Sequence, residues 1–160
     1  MSVRIGFVYD SHRFKDGDYI VIGGEKISFN KGLDAHSDGD VLLHALCDAL
    51  LGAAAMGDIG KHFPDNDPKY KDIDSSTLVN SVVNKLDKKN YIVGNIDSTI
   101  ILEKPKLAAI IPEMQKNVSN LLNISLANVN VKATTNEGMG FVGSSEGIAA
   151  YVTVILIPKD

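Results

Sequence analysis

Hydrophobic and polar positions alternate along some stretches of the chain and repeat at helical spacing along others. Alternation over four or more residues predicts a strand, and apolar residues three and four positions apart predict an amphipathic helix. Between two alternating stretches stands the pair Gly23–Gly24, which is typical of a tight hairpin turn. The predicted elements, in chain order, are strand 3–14, hairpin 19–29, helix 39–55, helix 75–89, strand 91–103, helix 106–122, strand 129–135 and strand 151–157.

This order of elements predicts an α/β protein, more specifically an α+β two-layer sandwich. We expect a mixed four-stranded sheet with helices on one face, plus a small hairpin. The 160 residues are enough to bury one core, so residues 1–160 are interpreted as a single domain. Residues 56–73 form a long polar segment between the first two helices. A loop of that length inside a small domain indicates a lid or a ligand-binding segment.

The charge and composition exclude several classes of partner. A net charge of −4 and a pI of about 5.5 argue against binding to nucleic acid or to an anionic membrane, which favour basic proteins. The longest apolar run, at 152–157, is far below the ~20 residues of a spanning helix. Asp10 and His12 interrupt the N-terminal apolar run, and Cys47 is the only cysteine. We therefore expect a cytoplasmic protein without disulfides.

Three side chains form a candidate metal site. Asp10 and His12 lie two residues apart on a predicted strand, so both point to the same face of the sheet. His44 lies opposite the apolar stripe of the next helix, one turn from Asp48. Three N/O ligands with an open fourth position are typical of catalytic zinc, and Asp48 is predicted to orient the His44 ring. The alternative is a chance pairing with a solvated histidine.

Two further segments are candidates for binding phosphate. His36 and Ser37 precede the first long helix, and Ser37 with Asp40 has the form of a capping box, so free amides there could hold a phosphate oxygen. Thr134 and Thr135 end a strand, close to the carboxylate of Glu137, which suits a phosphate with a hard cation. The alternatives are an ordinary helix cap and an ordinary surface threonine pair.

Four runs of residues, in the same order and through nearly the whole chain, resemble one enzyme family. They are RIGFVYDSHRF, GLDAHSDGDVLLHALCDALLGAAAMGDIGKHFPD, NIDSTIILEKPK and NVNVKATTNEGMGF, and they are similar to 2-C-methyl-D-erythritol 2,4-cyclodiphosphate synthases. The resemblance implies a homotrimer with active sites between subunits. It also implies a phosphorus–oxygen lyase of the non-mevalonate isoprenoid pathway. The implied reaction converts 4-diphosphocytidyl-2-C-methyl-D-erythritol 2-phosphate to the cyclic diphosphate and CMP.

The resemblance also implies residue roles. Asp10, His12 and His44 match the ligands of Zn²⁺ or another divalent transition metal, and Glu137 matches the ligand of Mg²⁺ or Mn²⁺. His36 and Thr135 are predicted to be catalytic, by stabilising charge on the transferring phosphoryl oxygens. The implied substrate-binding residues are Asp10, Ser11, His12, His36, Ser37, Asp58, Ile59, Gly60, Phe63, Pro64, Asp65, Asn66, Asp67, Leu102, Glu103, Lys104, Pro105, Lys106, Leu107, Ala108, Thr134, Thr135, Asn136, Glu137 and Phe141.

Two other functions stay open on the residues alone. A zinc phosphodiesterase would use the same ligands to activate water. A trimeric nucleotide-binding or metal-binding module would bind the ligands without turnover. The absence of an evident protein nucleophile agrees with the cyclisation, because there an oxygen of the substrate's own phosphate attacks the other phosphorus.

Overall fold

The computed structural model describes residues 1–160 and is built around a five-stranded mixed sheet. The strand order is β4-β1-β7-β5-β6, and β2 and β3 form a separate two-stranded sheet. The strands are β1 Arg4–Lys15, β2 Tyr19–Ile22, β3 Glu25–Ser28, β4 Gly32–Asp34, β5 Tyr91–Ile101, β6 Val129–Thr134 and β7 Gly147–Pro158. The helices are α1 Val41–Ala53, α2 Ile59–His62, α3 Ser75–Lys88, α4 Ile111–Leu122 and α5 Gly140–Gly143, with 3₁₀ turns at Pro68–Tyr70 and Leu126–Asn128.

The sheet has five strands, so the prediction of four was wrong. The additional strand is β4, which pairs antiparallel with the end of β1 at Arg13↔Asp34 and Lys15↔Gly32. Its three residues are too few for alternation to be visible in a sequence. The other boundary errors are local: β7 begins at Gly147 rather than at residue 151, and α4 begins at Ile111 rather than at residue 106.

The helices cover one face of the sheet, as predicted, and bury a single cluster of 34 core residues. Helix α1 lies very close to β1, and Gly6 makes this approach possible. A Cβ atom on Gly6 would lie 1.9 Å from the carbonyl oxygen of Ala49. None of the helices has the length and apolar character that crossing a membrane requires.

The opposite face of the sheet has no covering layer within the chain. Apolar side chains stand on it in contact: Phe7 stacks on Tyr151 at 6.0 Å between ring centroids, and Tyr9 lies 5.1 Å from Tyr151. Ile5 and Phe7 are 69% and 67% exposed. We call Ile5, Phe7, Tyr9 and Tyr151 the uncovered sheet face. Contiguous apolar surfaces of this kind commonly mark sites of association.

Helix α1 is capped by Asp40, so the capping box assigned to Ser37 was wrong. The buried Asp40 carboxylate accepts hydrogen bonds from the backbone N–H of Leu43 at 3.0 Å, Gly23 at 2.9 Å and Gly24 at 2.8 Å. Burial raises the pKa of Asp40 to about 7, although these backbone N–H groups oppose the shift. The Asp40 carboxylate bonds the Leu43 amide, so this amide is not free for the predicted phosphate.

Candidate metal and phosphate site

Strand β1 and helix α1 bring Asp10, His12 and His44 into one cluster. Asp10 and His12 project from β1 toward the helices, and His44 projects from α1 toward β1. His12 Nε2 lies 3.1 Å from His44 Nδ1 and 3.3 Å from Asp10 Oδ2, and His44 Nδ1 lies 4.0 Å from that oxygen. One ligand atom from each residue lies within 4.8 Å of the others. The prediction that two separate elements join these three side chains is confirmed.

The donor set fits a divalent transition metal. Zinc–ligand bonds of roughly 2.0–2.1 Å in a tetrahedron separate donors by about 3.3 Å, close to the observed spacing. Both imidazoles are 14% exposed and Asp10 is 27% exposed. Burial, followed by the charge of His12, lowers the pKa of His44, and this favours the neutral imidazole that a metal requires. No fourth protein ligand joins the cluster, so a metal held there would keep an open coordination position.

Ser37, not Asp48, contacts the outer nitrogen of His44. Ser37 Oγ lies 2.7 Å from His44 Nε2. Asp48 instead accepts a hydrogen bond from the backbone N–H of Ile59 at 2.6 Å, and burial raises its pKa. The prediction that Asp48 orients His44 was therefore wrong. The Asp48 carboxylate is one helical turn from His44, but it bonds the first residue of α2, Ile59, instead.

The metal cluster lies in a cavity of about 330 Å³ that the long polar segment helps to enclose. His36, whose Nε2 lies 3.3 Å from the carbonyl oxygen of Asp67, lines it together with Ser37. Asp58 caps α2 by accepting from Lys61 N–H at 2.9 Å and does not line the cavity. Pro64, Asn66 and the Asp67 side chain do not line it either. We call this the metal cavity; its lining residues are Asp10, His12, Asp34, Ala35, His36, Ser37, His44, Asp48, Ile59, Gly60, Phe63, Asp65, Tyr70, Ile73 and Leu78.

A second cavity of about 160 Å³ lies beyond the C-terminal ends of β5 and β6. It brings together six of the seven residues 102–108, which were predicted to bind substrate, with both predicted threonines. Lys104 is the one member of that run outside the lining. We call this the loop cavity; its lining residues are Leu102, Glu103, Pro105, Lys106, Leu107, Ala108, Ile111, Ala133, Thr134 and Thr135.

Glu103 shapes the loop that follows Thr135. Its carboxylate accepts hydrogen bonds from Asn136 N–H at 2.9 Å and Gly138 N–H at 3.4 Å. Glu137 is exposed, has a positive φ of 53° and donates its backbone N–H to Thr135 Oγ1 at 3.3 Å. Its carboxylate belongs to no metal-binding cluster of three. A single carboxylate matches Mg²⁺, which keeps several waters and takes phosphate oxygens as further ligands.

Ser11, Phe141 and Thr135 are further predicted site residues that lie outside the metal cavity. Ser11 is exposed on the opposite side of β1 from its neighbours. With Phe141 it lines another cavity of about 220 Å³, which shares only His12 with the metal cavity. Thr135 lines the loop cavity, whereas His36 lines the metal cavity. Within one chain, the two predicted catalytic residues therefore lie in different cavities.

Sequence reasoning missed the residues that fix the loop carrying His36 and Ser37. The backbone of that loop pairs with the segment before α3: Asp72 N–H donates to the His36 carbonyl at 2.8 Å, and Asp38 N–H to the Ile73 carbonyl at 3.1 Å. The Asp38 carboxylate also accepts from Ser75 N–H at 3.0 Å. The partners are more than 30 residues apart, so no local pattern could have indicated them.

Known proteins resemble this chain both in sequence and in fold. Residues 3–157 match the model of the YgbB family. The 2-C-methyl-D-erythritol 2,4-cyclodiphosphate synthase of Methylococcus capsulatus is 57% identical over 153 residues, which cover 96% of this chain and 97% of the relative.

Two solved structures share the fold. The bifunctional IspDF of Campylobacter jejuni matches with a TM-score of 0.95 and 39% identity over 99% of this chain, which spans 43% of that protein's length. Plasmodium falciparum IspF, solved as a CDP complex, matches with a TM-score of 0.86 and 36% identity. The match covers 99% of this chain and 97% of the Plasmodium falciparum chain. The chain belongs to the YgbB family, whose matching relatives are 2-C-methyl-D-erythritol 2,4-cyclodiphosphate synthases.

Proposed function

We propose that the chain converts 4-diphosphocytidyl-2-C-methyl-D-erythritol 2-phosphate to 2-C-methyl-D-erythritol 2,4-cyclodiphosphate and CMP, a step of the non-mevalonate route to isoprenoids. The names of the relatives support the product. One observation carries the chemistry: Asp10, His12 and His44 converge in a cavity without a fourth protein ligand. The phosphodiesterase and the non-catalytic module are not favoured, because the matching relatives share the synthase name.

The reaction requires no group from the protein as nucleophile. An oxygen of the 2-phosphate forms a bond to the β-phosphorus, the bond from that phosphorus to the CMP oxygen breaks, and CMP leaves with the electron pair. No water is consumed, which is the basis for classing the enzyme as a phosphorus–oxygen lyase. The barrier arises from bringing two anionic phosphates into line, so positioning and charge neutralisation supply most of the rate.

The metal cavity would hold the attacking phosphate. Asp10, His12 and His44 would bind Zn²⁺ or another divalent transition metal, which neutralises phosphate charge and leaves a position for a phosphate oxygen. His36 and the Ser37 hydroxyl would donate hydrogen bonds to that phosphate and hold it in line. Both residues line the same cavity as the ligands, which supports this assignment.

The remaining substrate contacts divide between the two cavities. Ile59, Gly60, Phe63 and Asp65, which line the metal cavity, would form the wall for the sugar. Asp58, Pro64, Asn66 and Asp67 would adjoin that wall from outside the cavity lining. Residues 102–108 would hold the cytosine, largely through backbone groups. Thr134 and Thr135 would bind the diphosphate, Thr135 as the second catalytic residue, and the adjoining Glu137 would bind Mg²⁺ or Mn²⁺. The CDP complex of the Plasmodium falciparum relative supports a site for cytidine diphosphate.

We propose that the active enzyme is a homotrimer with its sites between subunits. Two observations support this: the uncovered sheet face is apolar and exposed, and His36 and Thr135 line separate cavities in one chain. Each chain would contribute one domain spanning residues 1–160. Light scattering should give three times the 17.2 kDa chain mass, and F7D should lower that mass. A monomer with full activity would contradict the assembly.

We assign the protein to the cytoplasm. Cys47, the only cysteine, lies buried in α1, so the chain can form no intrachain disulfide. Burial also raises the pKa of the Cys47 thiol, and this disfavours the reactive thiolate. These properties suit a reducing compartment.

Product analysis in ¹⁸O-labelled water tests the proposed reaction. With substrate, Zn²⁺ and Mg²⁺, the protein should release CMP and a cyclic diphosphate, neither of which contains solvent oxygen. Incorporation of ¹⁸O would identify a phosphodiesterase instead. Tight binding of CDP without product would identify the non-catalytic module.

A further inference from the structure

The His44 ring is held from both sides by different kinds of group. Its Nδ1 faces the cluster, 3.1 Å from His12 Nε2 and 4.0 Å from Asp10 Oδ2. Its Nε2 faces away from the cluster and lies 2.7 Å from Ser37 Oγ. Nδ1 is therefore the nitrogen available for a metal, and Ser37 is the hydrogen-bond partner of the other nitrogen.

No other side chain competes for this nitrogen. Asp48, which lies one turn farther along α1, is engaged at 2.6 Å with the backbone N–H of Ile59. The hydroxyl of Ser37 is itself restrained, because Gly39 N–H donates to Ser37 Oγ at 3.3 Å. The loop on either side of Ser37 is fastened by the backbone bonds of His36 and Asp38 to residues 72 and 73.

We propose that Ser37 is a positioning residue for the metal centre, an inference that rests on the proposed function. Its oxygen accepts a hydrogen bond from His44 Nε2–H, and this selects the tautomer in which the Nδ1 lone pair points at Asp10 and His12. A neutral imidazole carries one proton, so a hydrogen on Nε2 leaves Nδ1 free to bind metal. Ligating histidines generally need such a partner on the second nitrogen.

This arrangement also links the metal ligand to the substrate phosphate. A hydroxyl oxygen can accept two hydrogen bonds and donate one. With Gly39 N–H and His44 Nε2–H as its two donors, Ser37 retains its own proton for a phosphate oxygen in the metal cavity. Loss of the hydroxyl therefore weakens metal binding even when no substrate is present, which a purely phosphate-binding serine would not do.

The test measures metal binding in the absence of substrate. Zn²⁺ affinity is determined by competition with a chromophoric chelator, and the visible absorption of bound Co²⁺ reports the coordination geometry. S37A should bind Zn²⁺ about 10–100-fold more weakly and should change the Co²⁺ spectrum. S37T, which keeps the hydroxyl, should restore both. S144A removes an exposed serine that lies outside both cavities, and its metal affinity should be unchanged.

The outcomes separate this inference from the proposed function. If S37A folds with unchanged circular dichroism and binds Zn²⁺ as tightly as the parent while H44A does not bind it, the positioning role is wrong and the metal centre stands. If H44A also binds Zn²⁺ as tightly as the parent, the metal centre itself is wrong. If S37A and S37T weaken binding equally, packing rather than the hydroxyl is responsible, and the inference fails.

Discussion

The metal cavity and the loop cavity are built in different ways. In the metal cavity the three ligands stand on regular elements, β1 and α1, and their side chains are largely buried, with ligand atoms 3.1 to 4.0 Å apart. In the loop cavity, residues that follow the ends of β5 and β6 supply much of the wall, and Thr134 is exposed. One cavity is preorganised by packing, whereas the other presents backbone and hydroxyl groups at an open edge.

The difference indicates how the site is divided. A cluster of ligands has to be rigid before the metal arrives, and a strand paired over ten positions with β7 and held against a buried helix provides that rigidity. A nucleotide can instead be bound by an open surface that a neighbouring subunit completes. The four predictions that follow test this division.

The largest effect is expected from removing a ligand of the metal cavity. H44A takes away one of three donors and should lower Zn²⁺ affinity by more than about 100-fold and abolish turnover. Metal analysis after gel filtration, with circular dichroism to verify folding, provides the measurement. H62A is the matched control, because His62 bonds to the Met56 carbonyl at 2.8 Å and lies outside the cluster. Full activity of H44A would refute the ligand assignment.

Mixing two inactive variants tests whether one site uses cavities from two subunits. H44A disables the metal cavity and T135V disables the diphosphate contact. Co-expression of the two should restore roughly a quarter of parental activity, because random trimers would place both intact parts in about that share of interfaces. Assays of each variant alone give the background. No restoration in verified mixed trimers would mean that each chain builds its own site.

A smaller effect is expected from the carboxylate beside the loop cavity. E137Q keeps the shape of Glu137 but removes its charge, so the Mg²⁺ concentration for half-maximal activity should rise about tenfold. E113Q, at an exposed glutamate on α4, serves as the control. If the magnesium titration of E137Q overlays that of the parent, Glu137 is not the ligand.

The fourth effect is on folding stability and concerns the buried cap of α1. The pKa of Asp40 in the folded chain, about 7, lies above the ordinary 3.8. Its stabilising contribution is thus complete below pH 4 and is lost as the pH rises through 7. Relative to D40N, the parent should lose roughly 2 kcal/mol of unfolding free energy between pH 5 and pH 7. Urea denaturation at both pH values measures this. A parent that gains stability over D40N would contradict the raised pKa.

The sequence predicted those features that depend on local spacing. A period of two placed Asp10 and His12 on one face of β1, and the apolar stripe of α1 left His44 on the side that meets them. The long helices and strands were found for the same reason. The resemblance to the family then indicated residues 102–108, most of which line the loop cavity.

Features that depend on distant contacts were missed or wrong. Asp40, rather than Ser37, caps α1 because the hairpin turn at Gly23 and Gly24 donates to its carboxylate. Asp48 likewise bonds a group that is distant in the sequence, the backbone N–H of Ile59, instead of His44. The start of β7 was missed because its small residues do not favour strands by themselves. The close approach of β7 to β1 requires the glycine at 147, since a Cβ there would lie 2.5 Å from the His12 carbonyl oxygen.

Anomalous scattering at the zinc absorption edge, from crystals of the Zn²⁺-loaded protein, tests the central claim most directly. We predict one peak per chain, bonded to a carboxylate oxygen of Asp10, to His12 Nε2 and to His44 Nδ1, with its remaining position open to substrate. A peak at other residues, or one closed by a fourth protein ligand, would contradict the account.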